Sequence, residues 1–319
     1  MSLTSYISDP ASPIRRWMAE QFPDCRDALR DMRDNLPAMT GRTIAPPGRA
    51  SSTAGMALDY RIRFYFEPVQ VESLVAWEGA TMAVREILGQ RPKGYRARRD
   101  GDLLRWSGAQ HTPPAAFFRA FSAFVTRNPP MRARLPGPQE LRLARYCYVL
   151  GLYEEVFRIG YTWPGARLDS LAPDADARAV LGIVPDDRVK DIARISGACQ
   201  KVLAPYFDRE YVLNPVFAGS LYVGGADADL ILDRRLIEIK TTADARLDQN
   251  WLLQLLGYVL LDWNDEYRID GLGVLYAHQA TLAKWPLGEV LRRVGAGGMP
   301  ALPRLRAEFK ALVSGGSRR

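Results

Sequence analysis

The stretch Gly224–Thr242 (GGADADLILDRRLIEIKTT) constrains this 319-residue chain more than any other. Two apolar-rich runs flank the turn signal Asp233-Arg234-Arg235, the signature of a β-hairpin. Side chains alternate faces along a strand with a period of two, so a register can be tested from sequence. An even loop with Asp233 opposite Leu236 sets Ile231 against Glu238 and Asp229 against Lys240. One face then carries Ala228, Leu230, Leu232, Ile237 and Ile239. The other carries Asp227, Asp229, Ile231, Asp233, Leu236, Glu238 and Lys240. An odd loop scatters the charges onto the apolar side. The pattern selects the even register and gathers carboxylates and one ammonium on one face.

Neighbouring carboxylates repel, at a cross-strand cost of up to roughly 1 kcal/mol per like-charged pair. A divalent cation removes that cost. Hard ions such as Mg²⁺ take oxygen from one or two carboxylates, keep several waters and bind substrate phosphate. A lysine beside the ion can orient a water or neutralise charge on a scissile phosphate. The plainer reading makes Glu238 and Lys240 a solvated strand face, Asp233 part of the turn, and Asp227 either a second ligand or a solvated residue at the start of the strand.

Asp229 followed by Glu238-Ile239-Lys240 resembles the signature of the PD-(D/E)XK nuclease superfamily, in its RecB-like and lambda-exonuclease-like branch. The resemblance implies a restriction-endonuclease-like α/β core, a small mixed central sheet flanked by helices. It implies Mg²⁺ (or Mn²⁺) held by Asp229, Glu238 and the Ile239 carbonyl, with Lys240 positioning the attacking water. The activity implied is hydrolysis of phosphodiester bonds in DNA, with RNA left open, in DNA repair or processing or in defence against foreign DNA.

Two helices extend the resemblance. Asp248–Leu261 (DQNWLLQLLGYVLL) reads as a helix capped by Asp248, with Gln254 and Tyr258 at i, i+4 and Trp251 one turn earlier. This is similar to the Gln-x-x-x-Tyr element of RecB-like nucleases, where the glutamine edges the active site. The alternative is a buried helix whose Gln and Tyr cap local groups. Gln139–Gly160 reads as a long buried helix, with Pro138 before it and Gly160 closing it. Glu154 and Glu155 interrupt its apolar run. In the superfamily a glutamate from this helix completes the metal site, directly or through water, and Glu155 is preferred to Glu154. The alternative is pairing of either with Arg158. The succession of a helix, a short strand at Asn214–Ala218, the hairpin, a helix and a strand at Gly271–Tyr276 follows the superfamily's α-β-β-β-α-β order. His278 reads as a polar strand-end residue.

The rest of the chain is less specific. A net charge of +7 suits a polyanionic partner. No apolar run reaches the roughly 20 residues needed to span a bilayer. The three cysteines, Cys25, Cys147 and Cys199, are dispersed, which argues for a reducing cytoplasm and against both a disulfide framework and a four-cysteine iron-sulfur site. With only His111 and His278, histidine-based zinc is implausible.

Ser12–Glu20 and Asp24–Leu36 read as short helices, and Ala45–Ala54 as a loop. Leu58–Glu67 alternates as a strand does, and Val71–Leu88 reads as a helix. Arg91–Arg99 (RPKGYRARR) carries Arg91, Lys93, Arg96, Arg98 and Arg99 around Tyr95. It is either a basic nucleic-acid-binding finger or a solvated charged loop. Further helices are predicted at Pro113–Thr126, Val189–Tyr206, Gly288–Val294 and Leu302–Leu312, and a strand at Thr281–Pro286. The domains expected are a mostly helical region 1–130 for specificity or partner binding, the nuclease-like core 131–290, and a C-terminal helix and basic tail 291–319. The rival function is a nuclease-like fold that grips nucleic acid or a partner without cutting.

Overall fold

The structure, a computed structural model, describes residues 2–34, 36, 44, 52–89, 111–242, 245 and 247–315. The chain divides into two compact units, Ile44–Ala204 and a second built from Met1–Thr43 with Pro205–Arg319. These limits differ from the expected 1–130, 131–290 and 291–319. The described residues form an α/β protein of twelve α-helices and one small five-stranded mixed sheet. None of the described helices is long and apolar enough to cross a membrane.

The helices up to the sheet are α1 (Leu3–Ser8), α2 (Pro13–Gln21), α3 (Cys25–Asp34), α4 (Ser52–Phe66), α5 (Val75–Ile87), α6 (Pro113–Arg127), α7 (Gly137–Ile159), α8 (Ala177–Gly182) and α9 (Asp186–Leu203). The N-terminal region is helical, as expected. The strand expected at Leu58–Glu67 is instead the second half of α4. Its alternation came from Arg61 and Arg63, both buried: Arg61 is fully buried against Glu140 and Arg63 pairs with Asp59. A segment buried on all sides has no polar face to set a period, and packing decides. Residues 52–54, read as loop, open the same helix.

Unit 44–204 is a helical bundle around α7. The α7 boundaries follow the Pro-before, Gly-after pattern: Gly160 closes the helix with φ 94° and donates its N–H to the Val156 carbonyl at 2.7 Å. Two glycines let neighbours touch backbone to backbone. A Cβ on Gly79 of α5 would lie 1.7 Å from the Tyr153 carbonyl oxygen, and one on Gly151 of α7 would lie 2.8 Å from that of Thr53.

In the other unit, β1 (Tyr211–Leu213), β2 (Leu230–Leu232), β3 (Arg235–Lys240), β4 (Gly271–Tyr276) and β5 (Thr281–Pro286) lie in sequence order across the sheet. All neighbours are antiparallel except β3 and β4, which are parallel and joined through α10 (Gln249–Leu261). Helices α11 (Leu287–Arg293) and α12 (Leu302–Gly315) follow. The core combines one face of the sheet with α1, α2, α3, α10, α11 and α12. The short strand expected at Asn214–Ala218 lies three residues earlier, as β1. Asn214 takes a left-handed φ of 47° and Pro215 has no N–H, so the strand stops there.

Candidate active site

The hairpin forms with the expected facing and a shifted register. Leu232 pairs with Arg235 and Leu230 with Ile237, so the loop is Asp233-Arg234, with φ of 49° and 63°. Both central residues in the left-handed region make the two-residue turn that matches strand twist. The pairing therefore sits one step from the expected Asp233–Leu236 match. Parity survives the step, so Leu230, Leu232 and Ile237 still share the apolar face. Ile231 faces Leu236 rather than Glu238.

The acidic end of the hairpin is set by local bonds. The β2–β3 pairing stops at Leu230–Ile237, although β3 runs on to Lys240. The Ile239 N–H is taken by Asp229 Oδ2 at 2.6 Å. Asp227 is exposed and makes an isolated antiparallel bridge with Val216.

Lys240 is the hub. Its Nζ lies 2.8 Å from Glu238 Oε1, donates to Gln254 Oε1 at 3.4 Å and sits 4.7 Å from the centre of the Trp251 ring. Glu238 and Gln254 are buried. Gln254 Nε2 donates to the Tyr258 hydroxyl at 2.8 Å, so the amide bridges the ammonium and the phenol. The i, i+4 spacing in α10 delivers that bridge, and Asp248 fixes the start of the helix by accepting the Trp251 N–H at 2.9 Å. Tyr258 stacks on Phe217 with ring centres 5.6 Å apart. Burial holds the Tyr258 phenol protonated well above its ordinary range; Glu238, Asp229 and Asp227 push the same way, against the Gln254 bond. Asp227, Asp229 and Glu238 therefore all act on one phenol.

The structure thus brings together Asp229, Glu238, Ile239, Lys240, Gln254 and Tyr258 of the predicted set. Glu155 belongs to unit 44–204, where the Ser52 hydroxyl donates to it at 2.8 Å and the Thr53 hydroxyl also donates to it. Glu154 is buried and pairs with Arg158, 2.5 Å from Nη2. Arg91, Lys93, Arg96, Arg98 and Arg99 lie outside the described residues.

Two contributors escaped the sequence reading. Phe217 reaches Tyr258 from an irregular loop, and no local pattern signals that contact. Tyr276 pairs with Lys240 across β3–β4, and its hydroxyl is buried and makes no hydrogen bond among the described residues. Alternation in GLGVLY puts Leu272, Val274 and Tyr276 on one face and could have identified it.

Among the described residues, no group of three or more His, Cys, Asp or Glu side chains is placed to hold a metal ion. The hairpin donors nearest Lys240 in this arrangement are two carboxylates, Asp229 and Glu238, with the Ile239 carbonyl between Glu238 and Lys240 in sequence. A hard divalent ion that keeps its waters accepts such a set, whereas a closed all-protein cage needs more. No family model matches the chain, and no curated protein or solved structure gives a significant match.

Proposed function

We propose that the hairpin unit carries a metal-dependent nuclease site of the PD-(D/E)XK kind, acting on phosphodiester bonds in DNA, on a restriction-endonuclease-like core. One observation carries this reading: Asp229, Glu238 and Lys240 share a face of the sheet, and α10 closes on them with Gln254 and Tyr258. The order of elements supports it, with three antiparallel strands, a helix and a parallel strand. So does the net charge of +7, which favours a polyanion.

Asp229, Glu238 and the Ile239 carbonyl would hold Mg²⁺ or Mn²⁺. The bound ion would supply positive charge at the scissile phosphate and make water a stronger nucleophile at neutral pH. The chain's own residues do the positioning. Lys240 offers a fixed ammonium where negative charge develops on the phosphate oxygens, a preorganised form of stabilisation. Gln254 holds that ammonium from the helix side. Tyr258 fixes the Gln254 amide and stays protonated throughout the working pH range.

A second reading, a non-catalytic nucleic-acid-binding or partner-binding module, is favoured by one feature. Glu238 is already paired with Lys240 and Asp229 with the Ile239 N–H, so both carboxylates have protein partners. Cleavage of labelled linear and circular DNAs and RNAs, with Mg²⁺, Mn²⁺ or EDTA, separates the two. Metal-dependent cutting lost in Lys240→Ala supports the nuclease. Tight, salt-sensitive binding without cutting by either protein supports the module.

A further inference from the structure

The loop between β1 and β2 holds three large apolar side chains in solvent: Val216, Leu221 and Tyr222, with Leu221 88% exposed. The loop itself is fixed. Ser220 Oγ accepts from the Phe217 N–H at 3.0 Å and donates to the Ala226 carbonyl at 2.7 Å. The Gly219 N–H donates to the Leu261 carbonyl at 3.0 Å, and the Tyr267 hydroxyl donates to the Val216 carbonyl at 2.9 Å. A Cβ on Gly219 would lie 2.5 Å from Leu261 Cδ2 and 2.9 Å from the Trp263 ring, so the loop rests directly on the end of α10. Apolar groups held out on a rigid mount are preorganised for a ligand.

Two neighbouring features indicate the ligand. The Tyr222 ring lies 5.1 Å from that of Trp263, and Lys310 Nζ lies 4.8 Å from the Trp263 ring centre. Aromatic faces beside an exposed ammonium suit unpaired nucleobases on a phosphate backbone. The patch is also continuous with the acidic end of the hairpin, because Val216 bridges to Asp227 and Phe217 stacks on Tyr258. We propose that Leu221, Tyr222 and Trp263 form a stacking platform for unpaired bases of a DNA strand, with Lys310 on its backbone. The inference rests on the nuclease reading of the hairpin and names single-stranded DNA, or a frayed duplex end, as its substrate.

The test uses the full chain and a fluorescein-labelled oligo-dT of about 15 nucleotides, a length matched to single-strand sites. Binding is read by anisotropy in EDTA for the wild type, Tyr222→Ala and Leu221→Ser, each also in a Lys240→Ala background. Matching circular dichroism spectra establish folding of these surface variants. The expected result is a Kd for Tyr222→Ala raised about tenfold in both backgrounds, with a smaller rise for Leu221→Ser and no change for blunt duplex. An unchanged Kd in both variants overturns the platform. Self-association of the wild type that is lost in the variants, with oligo-dT binding intact, also overturns it and makes the patch a protein interface. If the wild type cuts nothing with Mg²⁺ or Mn²⁺ while the variants lose oligo-dT binding, the hairpin reading fails and the platform stands.

Discussion

The carboxylate of Asp229 accepts a 2.6 Å hydrogen bond from the backbone N–H of Ile239, ten residues on. The side chain takes a donor that the strand ladder leaves unused, so the end of the hairpin and the orientation of the acid are fixed by one bond. Asp229→Asn keeps an acceptor there and removes the charge. Cleavage of labelled DNA should fall at least about 100-fold, the upper end for losing a metal site's supporting contact, with the urea midpoint nearly unchanged. Asp229→Ala should lose activity and also about 1–3 kcal/mol of stability, because the Ile239 amide is left unpaired.

Gln254 is the bridge between Lys240 and Tyr258. Gln254→Met keeps the volume and removes both bonds. Lys240 then keeps Glu238 and the Trp251 ring but loses the amide that held it from α10, and kcat should drop about tenfold, near 1.4 kcal/mol, with KM little changed. Steady-state cleavage with a short labelled substrate reads the split. A rise in KM with kcat intact would place Gln254 in substrate binding instead.

In unit 44–204, burial raises the Asp59 carboxyl to about 6, with Arg63 opposing and Glu154 reinforcing. Asp59 Oδ2 lies 2.5 Å from Arg63 Nη2, and its other oxygen has no hydrogen-bond partner among the described residues. A folded pKa above the unfolded value means that the folded form holds a proton which the unfolded chain has released. That stability is complete below about pH 4 and is lost as pH rises through about 6. Asp59→Asn cannot titrate. The wild-type advantage over Asp59→Asn should therefore shrink by about 2–3 kcal/mol between about pH 4 and pH 7, as read by urea unfolding. A constant difference across that range would show that Asp59 ionises normally.

Arg61 and Glu140 form a fully buried pair, with Nε to Oε1 at 2.7 Å and Nη2 to Oε2 at 3.1 Å. Arg61 also donates to the Pro130 and Ala133 carbonyls, and the Leu135 N–H donates to Glu140. The pair thus ties the 130–135 loop to α4 and α7. Glu140→Ala strands a buried guanidinium and should cost about 3–5 kcal/mol. Arg61→Met combined with Glu140→Leu should recover part of that loss, since no buried charge remains. Denaturant midpoints of the single and double variants test this.

What was legible in the sequence were segments whose own pattern matched their surroundings. α10, β4 and β5 fall where periodicity and caps placed them, because each buries one clear face or is bounded by turn residues. The hairpin's facing was legible because parity depends only on whether the loop is even. Its register was not, since choosing Asp233-Arg234 over Arg234-Arg235 depends on which residues tolerate a left-handed backbone. α4 misled because buried arginines look like solvent-facing ones in sequence: Arg61 has its partner, Glu140, in α7, and Arg63 has its own one turn back, at Asp59. The Gln254–Tyr258 pair was implied by spacing and the place of Gln254 beside Lys240 only by the family resemblance, whereas Phe217 and the bond from Ile239 to Asp229 are products of tertiary packing.

The discontinuous unit has a consequence for biosynthesis. Helices α1 to α3 leave the ribosome well before the sheet, yet partners of Leu3, Ile7, Met18 and Met32 lie in the sheet and in α10 to α12. At about 5–20 residues per second, the chain from α3 to the end of α10 takes roughly 10–50 s to make. Through that interval an amphipathic N-terminal segment waits with its apolar face uncovered, while the intervening helical bundle can already fold. The nascent chain therefore offers a defined target for chaperone capture.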